Sequence, residues 1–229
     1  MSVTAKFILE ISITETNDIE SFVNKQNSQC DIIGLNFSSI ENIELAKSSL
    51  KKILPKINKP LMIRGGSDED FNQKLLPELI KILPPKSIIA HVNETNYKTL
   101  IPYAIKGDHT IVIRTPIDIN LCKEMNILSN DIGQPLDKIL IDTDIGGLGY
   151  GLEYGYSIME KIKLESKQDK FLNPPLISFV IDETSKTKEA RDKSLAIYLE
   201  ITSASAVLAA GADYVVFNTI EALETLKGL

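Results

Sequence analysis

The sequence predicts an α/β fold consisting of one (β/α)8 barrel, a TIM barrel, and three observations lead to this prediction. Short apolar runs alternate with longer amphipathic stretches eight times along the 229 residues. Several runs, such as Ile88–Ala90 and Ile111–Ile113, are apolar on both faces, which is typical of parallel strands buried on both sides. A closed barrel usually needs about 250 residues, so eight βα units in this length favour closure over an open sheet.

The elements follow in order along the chain. Strands are predicted at Lys6–Ile13, Asp31–Phe37, Pro60–Arg64, Ser87–Val92, Thr110–Arg114, Lys138–Asp142, Leu176–Ile181 and Asp213–Phe217. The main helical stretches are predicted at Asn42–Leu54, Glu69–Leu83, Ile117–Asn130, Glu153–Ser166 and Lys188–Ala210. No low-complexity linker divides them, so a single domain is predicted over residues 1–229.

The residues at the helix ends agree with this order. Ser67–Glu69 provide a cap and acidic side chains at the start of the third helix, where the helix dipole favours them. Gly107, Gly133 and Gly211 end helices just before the next strand. Pro116 is predicted in the first turn of a helix, where its missing N–H costs nothing.

Composition excludes several classes of function. The net charge is −6 and the sequence pI is near 5.1, which argues against a nucleic acid or an anionic membrane as partner. Cys30 and Cys122 are isolated, whereas a structural zinc site or an iron–sulfur cluster needs about four such ligands. No run of 18 apolar residues and no signal-peptide pattern occurs, so a cytoplasmic protein is expected.

In a barrel, function belongs at the carboxyl ends of the strands. The polar residues predicted there are Ser12, Thr14, Asn36, Ser38, Arg64, His91, Asn93, Arg114, Thr115, Asp142, Asp144, Asp182, Glu183 and Asn218. His91 ends an apolar run, and a lone histidine there is more often a core residue than a catalyst. No second histidine lies within metal-ligand spacing, so a His-based metal site is not expected. Asp182–Thr184 are expected to form a solvated loop.

A glycine-rich segment directly after the sixth strand is the most unusual feature. It runs from Asp142 to Tyr154 and contains four glycines within six residues, Gly146–Gly151. Glycine costs backbone entropy but permits positive φ and lets a ligand approach without Cβ hindrance. The following helix would present its N-terminal amides to the same mouth. The spacing matches neither a dinucleotide fingerprint nor a P-loop.

Two further segments carry polar residues at the same end. Asn93 or Thr95, after the fourth strand, is expected to cap the next helix. Asp118, in Arg114–Leu121, suits the first turn of the fifth helix or a polar rim above the fifth strand.

Together these segments resemble the delta (small) subunit of CO dehydrogenase/acetyl-CoA synthase systems, the TIM-barrel subunit of the corrinoid iron–sulfur protein. The residues that carry the resemblance are Asn96-Tyr97-Lys98, Pro116–Leu121, Gly146–Tyr154, Ser157–Ile162, Thr202 and Ala209–Asp213. The chain departs from the family pattern at Asp142-Thr143-Asp144, where members usually have Asp-Pro-Thr, and members are commonly longer.

The resemblance implies a non-catalytic subunit of a methyl-transfer complex in one-carbon metabolism. It implies a heterodimer with a larger, gamma-type subunit that carries the 4Fe–4S cluster and the corrinoid, within the wider CO dehydrogenase/acetyl-CoA synthase complex of the acetyl-CoA pathway. The barrel mouth would then shield a shared corrinoid (cobalamin), with no iron–sulfur cluster in this chain. The candidates for cofactor contact at the mouth are Asn93, Asn96, Asp118, Asn120, Asp142, Gly146, Gly147, Gly149, Tyr150 and Gly151.

Two alternatives remain open at this point. A stand-alone pterin-binding methyltransferase would hold the amide and amino edge of the pterin with Asp and Asn side chains, and Asn93, Asp142 and Asn218 could supply them. A purely architectural homologue would keep an empty mouth, so a bulky residue at Gly147 or Gly149 would leave its partner binding intact.

Overall fold

A computed structural model describes residues 5–14, 23–24, 27–146 and 151–228. The strands are β1 (Lys6–Ser12), β2 (Ile32–Asn36), β3 (Leu61–Arg64), β4 (Ile88–Val92), β5 (Thr110–Arg114), β6 (Ile139–Asp142), β7 (Ile177–Ser178) and β8 (Tyr214–Phe217). The strands are apolar at most positions because both faces of the sheet are buried. Every residue of β2 and β3 is buried.

The helices are α1 (Ile43–Ile53), α2 (Glu69–Ile80), α3 (Tyr97–Lys106), α4 (Ile119–Ile132), α5 (Leu152–Glu165), α6 (Ile181–Thr184), α7 (Lys193–Ala209) and α8 (Ile220–Lys227). Local chemistry sets several ends. Asp68 Oδ1 accepts the Phe71 amide at the start of α2, and Gly133 ends α4 with a left-handed φ of 110°. Both predicted boundaries are confirmed.

All pairings of the described strands are parallel, in the order β6-β5-β4-β3-β2-β1-β8-β7. One isolated bridge, Ile141 to Leu176, joins the two ends of this sheet, and the Ile141 amide donates to Pro175 O at 2.9 Å. The predicted α/β barrel is therefore confirmed as an eight-stranded, nearly closed cylinder. It brings the carboxyl ends of all eight strands to one mouth.

Several predicted boundaries differ from the structure, and three of these differences have a clear local cause. The seventh strand ends at Ser178, not Ile181, because Ile181–Thr184 form α6. The helix before the eighth strand begins at Lys193 rather than Lys188, since the Asp192 carboxylate caps it by accepting the Ser194 and Leu195 amides. Ile117 has a φ of 52°, so α4 starts two residues later and Pro116 lies outside it.

Candidate functional site

Acidic and basic side chains from different strands form a continuous ion network at the base of the mouth. Arg64, at the end of β3, donates from Nε and Nη2 to the two carboxylate oxygens of Glu10 at 2.6 and 2.7 Å. Its Nη1 lies 2.8 Å from Asp182 Oδ1. Arg114, at the end of β5, donates from Nη1 to Asp182 Oδ2 at 3.1 Å. Asp182 therefore bridges two arginines, and the charges alternate along the network.

The network continues from Arg114 to β6. Arg114 Nη2 lies 2.9 Å from Asp144 Oδ2, and its Nε lies 3.5 Å from Asp142 Oδ2. Burial would raise the pKa of the Asp142 carboxyl, but Arg114, His91 and the Asp144 amide outweigh burial and hold this pKa below its ordinary value. Asp142 is therefore an ionised, buried carboxylate, and not a general acid at neutral pH.

His91 lies beside this carboxylate. The register between β4 and β5 shifts between Ala90 and Val92, a local irregularity of the kind that re-aims a side chain next to a site. His91 Nε2 is 3.4 Å from Asp142 Oδ2, but neither atom has a partner in hydrogen-bonding geometry. The ring contacts Phe179 edge-on, with centroids 4.4 Å apart. His91 therefore lines the mouth beside the Asp142 carboxylate and is not buried among apolar side chains alone.

Two cavities open above the network. One of about 390 Å³ is lined by residues of the β3, β4 and β5 ends, including Asn72, Asn93 and Pro116. The other, of about 490 Å³, extends towards Asn36, Ser38 and Lys186. Both are lined by Gly65, Gly66, Ser67, His91 and Arg114, so they are parts of a single mouth.

The glycines after β3 shape this mouth. Gly66 donates its amide to Asn72 Oδ1 at 3.1 Å and accepts from Asn72 Nδ2 at 2.7 Å, so Asn72 holds the turn. A Cβ on Gly65 would lie 2.0 Å from Asn72 Oδ1. The turn therefore needs glycine at position 65, and the mouth has a wall of bare backbone there.

A smaller cavity of about 140 Å³ lies near the end of β8, lined by Glu200, Asn218 and Thr219 among others. Glu200 is buried, and its carboxylate accepts from the Asn218 amide at 3.2 Å, from the Thr219 amide at 3.1 Å and from Thr219 Oγ1 at 2.8 Å. The backbone amides at the start of α8 are thus bound to a carboxylate of the chain itself.

Comparisons with known proteins identify the family of the chain. The model of the CO dehydrogenase/acetyl-CoA synthase delta subunit family matches residues 8–228. The chain belongs to this family. Acetyl-CoA decarbonylase/synthase complex subunit delta 1 of Methanosarcina thermophila is 28% identical over 122 residues, 52% of this chain and 28% of the relative. Subunit delta of Methanocaldococcus jannaschii is 24% identical over 195 residues, 80% of this chain and 47% of the relative.

This delta-family chain thus spans less than half the length of those two curated relatives. Among solved structures, dihydropteroate synthase from Thermus thermophilus has a TM-score of 0.72 at 11% identity, covering 98% of this chain and 91% of that one. Dihydropteroate synthase from Xanthomonas albilineans in complex with 7,8-dihydropteroate has a TM-score of 0.66 at 10% identity, covering 100% and 93%. At this identity the likeness shows the barrel fold alone.

The residues predicted for the mouth of this delta-family barrel have different surroundings. Asn93 lines the first cavity, and its Oδ1 accepts the Thr95 and Asn96 amides in the turn before α3. The predicted capping of α3 by Asn93 or Thr95 is wrong, because Asn96 is the N-cap residue and its side chain makes no cap hydrogen bond. Asn96 is buried, where it accepts the Asn93 amide and donates to His91 O. Asp118 caps α4 by accepting the Asn120 and Leu121 amides. Asn120 is exposed, one residue inside α4.

The glycine-rich segment is described only at its ends. Gly146 and Gly151 have φ values of 62° and 142°, and a Cβ on Gly146 would lie 3.0 Å from Gly151 O. Both positions therefore use conformations that favour glycine, as the sequence predicts. Gly147, Gly149 and Tyr150 lie outside the described residues, so the predicted role of this segment stays a prediction.

Sequence reasoning missed three parts of the site. The expectation of a solvated loop at Asp182 is wrong, because the side chain is largely buried between Arg64 and Arg114. Glu10 interrupts the apolar pattern of the first strand, and a charge within an otherwise apolar strand is a usable signal for a buried ion pair. Gly65-Gly66 directly after β3 is a second signal, since its position after a strand resembles that of the longer glycine segment.

The His91 environment leads to a prediction about pH. Burial lowers the pKa of His91 below 6.5, and contact with Asp142 only partly offsets this effect. The unfolded chain therefore takes up a proton that the folded chain refuses, so the free energy of unfolding should fall as the pH drops from about 7 to about 5. NMR titration of the ring, assigned with His91→Gln, should give a midpoint below 6.5. A midpoint above 6.5 would contradict the buried, neutral imidazole.

Among the described helices, none is long and apolar enough to cross a membrane.

Cys30 and Cys122 are both buried free thiols, and burial raises the pKa of Cys122 to about 12.

Proposed function

We propose that the chain acts as the barrel of a delta-type subunit of an acetyl-CoA decarbonylase/synthase system, and that it pairs with a large subunit that carries the corrinoid. In this proposal the mouth covers one face of the corrinoid, and the chain contributes to the architecture of the wider complex. Family membership over residues 8–228 supports the proposal. The observation that carries it is a mouth with backbone walls at Gly65 and Gly66 above a floor of ion-paired side chains.

The residues present suit a cofactor held by another protein. The mouth cavities that the described residues form, of about 390 and 490 Å³, are too small to enclose a whole corrinoid, so the proposal has the mouth cover one face of it. The chain has two histidines, and His91 Nε2 points at Asp142 while His109 precedes β5 at the opposite end. The proposal therefore assigns this chain the covering of the cofactor and no histidine ligand to its metal.

The floor suits a shielding role as well. When bound by the partner, the corrinoid would supply the methyl-carrying cobalt centre. In this chain, Arg64 and Arg114 are tied to carboxylates, and these ion pairs hold the side chains of the floor in place. Gly66 and Ser67 would lie nearest the approaching face, where the absence of a large side chain avoids a steric clash.

A substitution at the rim tests this proposal. Ser67 is exposed and lines both cavities, so Ser67→Trp should place an indole over the mouth without touching the ion network. We expect the variant to bind the corrinoid-carrying large subunit at least about tenfold more weakly than wild type, as measured by calorimetry, and to lose any change in the corrinoid absorption spectrum. Ser48→Trp, on the exposed face of α1, is the matched control and should bind like wild type.

The wild-type chain provides the decisive outcome. If it forms no stable heterodimer with the large subunit and leaves the corrinoid spectrum unchanged, the proposal fails. If Ser67→Trp and Ser48→Trp bind equally well, the partner contacts another surface and the mouth does not cover the corrinoid.

The second candidate is a pterin-binding barrel, favoured by the fold shared with dihydropteroate synthases, one of which was solved with 7,8-dihydropteroate. The residues considered for it are Asn93, Asp142 and Asn218. Asn218 lines the separate cavity beside Glu200, while Asp142 is committed to Arg114 and Asp144, so this set supports the candidate less well. Calorimetry with methyltetrahydrofolate discriminates, since tight binding by the isolated chain would favour the pterin enzyme.

A further inference from the structure

A cavity of about 380 Å³ opens at the end of the barrel opposite the mouth, between the C-terminal turns of α2 and α3. His109, which immediately precedes the first residue of β5, forms part of its wall. The apolar part of the lining comes from Ile80, Leu83, Pro85 and Tyr103. A mostly apolar cavity of this size with a few polar groups is typical of sites for small organic ligands.

His109 presents an unused hydrogen-bond donor at this cavity. The side chain is 1% exposed, and its Nδ1 accepts the Ser87 amide at 3.2 Å. Burial lowers the pKa of His109, so the ring is neutral near pH 7 and its proton must lie on Nε2. Among the described residues, no acceptor for this Nε2–H is found. Because Nε2 is not one of the fully buried polar atoms that lack a partner, it can be reached from the cavity, where an anionic acceptor would form a charge-assisted hydrogen bond with it.

Gly107 makes room for this donor. A Cβ at position 107 would lie 2.1 Å from His109 Nε2, so the imidazole edge occupies the space that the glycine leaves open. The same glycine lines the cavity and ends α3. The His109 ring is therefore held in place by backbone groups, namely the Gly107 backbone beside Nε2 and the Ser87 amide bound to Nδ1.

The charges around the cavity favour an anion. None of the lining residues is acidic, and two are lysines. Lys81 is paired with Glu78 and lies 5.6 Å from the centre of the Tyr103 ring. Lys106 is exposed and forms no ion pair with any residue that the structure describes. One cation, Lys106, and one imidazole N–H, that of His109, thus remain available beside an apolar wall.

We propose that this cavity binds a small aromatic carboxylate, whose carboxylate accepts the His109 Nε2–H and pairs with Lys106 while its ring packs on Tyr103, Ile80 and Leu83. The site lies at the amino-terminal end of the strands, so it is separate from the mouth and does not depend on the function proposed above. A ligand there would contact the ends of α2 and α3. The helix α2 follows the Gly65-Gly66 turn, and α3 follows β4, the strand that contains His91.

The experiment uses 1-naphthoate as the probe and the neutral 1-naphthylmethanol as its matched control. Because the chain has only two histidines, long-range ¹H–¹⁵N spectra report each ring separately. We expect naphthoate, titrated to about 5 mM, to shift the His109 Nε2 signal saturably while His91 stays unchanged. The alcohol should bind at least about tenfold more weakly, since it lacks the charge.

Two variants locate the site. Lys106→Gln should weaken naphthoate binding about tenfold, whereas Lys98→Gln, near the other end of α3, should not. His109→Phe should abolish the charge preference between the two probes, and if this variant does not fold, Lys106→Gln still decides. The proposal is overturned if the His109 shift does not saturate, if His91 responds instead, or if Lys106→Gln binds like wild type.

Discussion

Arg64→Met is expected to lower the free energy of unfolding by about 3–5 kcal/mol, because it leaves a buried carboxylate without its counter-ion. Glu10 is 3% exposed and relies on two hydrogen bonds from Arg64, with one further bond from Asn36 Nδ2 at 2.9 Å. Asp182 would keep Arg114, so the loss centres on Glu10. Urea unfolding at pH 7 measures the change.

A double variant separates the pair from general damage to the core. In Glu10→Gln/Arg64→Met neither charge remains, so the double variant should be more stable than the sum of the two single effects predicts, by about 1–3 kcal/mol. Lys193→Met breaks an exposed ion pair with Glu221 and should leave the midpoint unchanged. Additive effects for Glu10 and Arg64 would show that the two side chains are not coupled as described.

Gly155→Ala is expected to destabilise the protein by about 3 kcal/mol, although alanine normally stabilises a helix interior by about 1 kcal/mol relative to glycine. A Cβ on Gly155 would lie 2.6 Å from Asp144 O and 2.7 Å from Ile145 Cα. Both are backbone atoms, so no side chain can move aside, and α5 would have to shift away from the turn after β6. Thermal and urea unfolding measure this change.

Gly228→Ala provides the matched control, because its Cβ would meet only ordinary contacts at 3.5 and 3.6 Å, from Glu224 O and Thr225 O. This variant should stay within about 0.5 kcal/mol of wild type. If Gly155→Ala is as stable as Gly228→Ala, α5 does not pack against the Asp144–Ile145 turn as closely as described.

The barrel could be predicted from sequence because buried parallel strands have an unmistakable pattern. Ile111–Ile113 are apolar at every position, and only a strand covered on both faces needs this. Caps such as Asp68 and Gly133 depend on a few neighbouring residues, so they were predictable as well. The seventh strand was overextended because Phe179–Ile181 are as apolar as a strand but turn into α6.

The ion network was less accessible to sequence reasoning. Arg64 and Arg114 were placed correctly at strand ends, but their partners lie far along the chain, and Asp182 follows Arg64 by more than a hundred residues. An Asp-Glu-Thr triplet after a strand is usually solvated, and only the closure of the barrel brings Asp182 between the two arginines. Asn218 was grouped with Asp142 for the same reason, since sequence spacing does not distinguish the central mouth from a side cavity.

The carboxylate of Glu200 limits what the barrel can hold. Many barrels grip a phosphorylated substrate with the amides after the last strands and at the start of a short helix. Here the Asn218 and Thr219 amides, which follow the last strand, already bind the Glu200 carboxylate, so a phosphoryl group at these two amides would meet like charge. A phosphorylated molecule would therefore find no free amide at these two positions, and its other groups would have to supply the contacts that hold it.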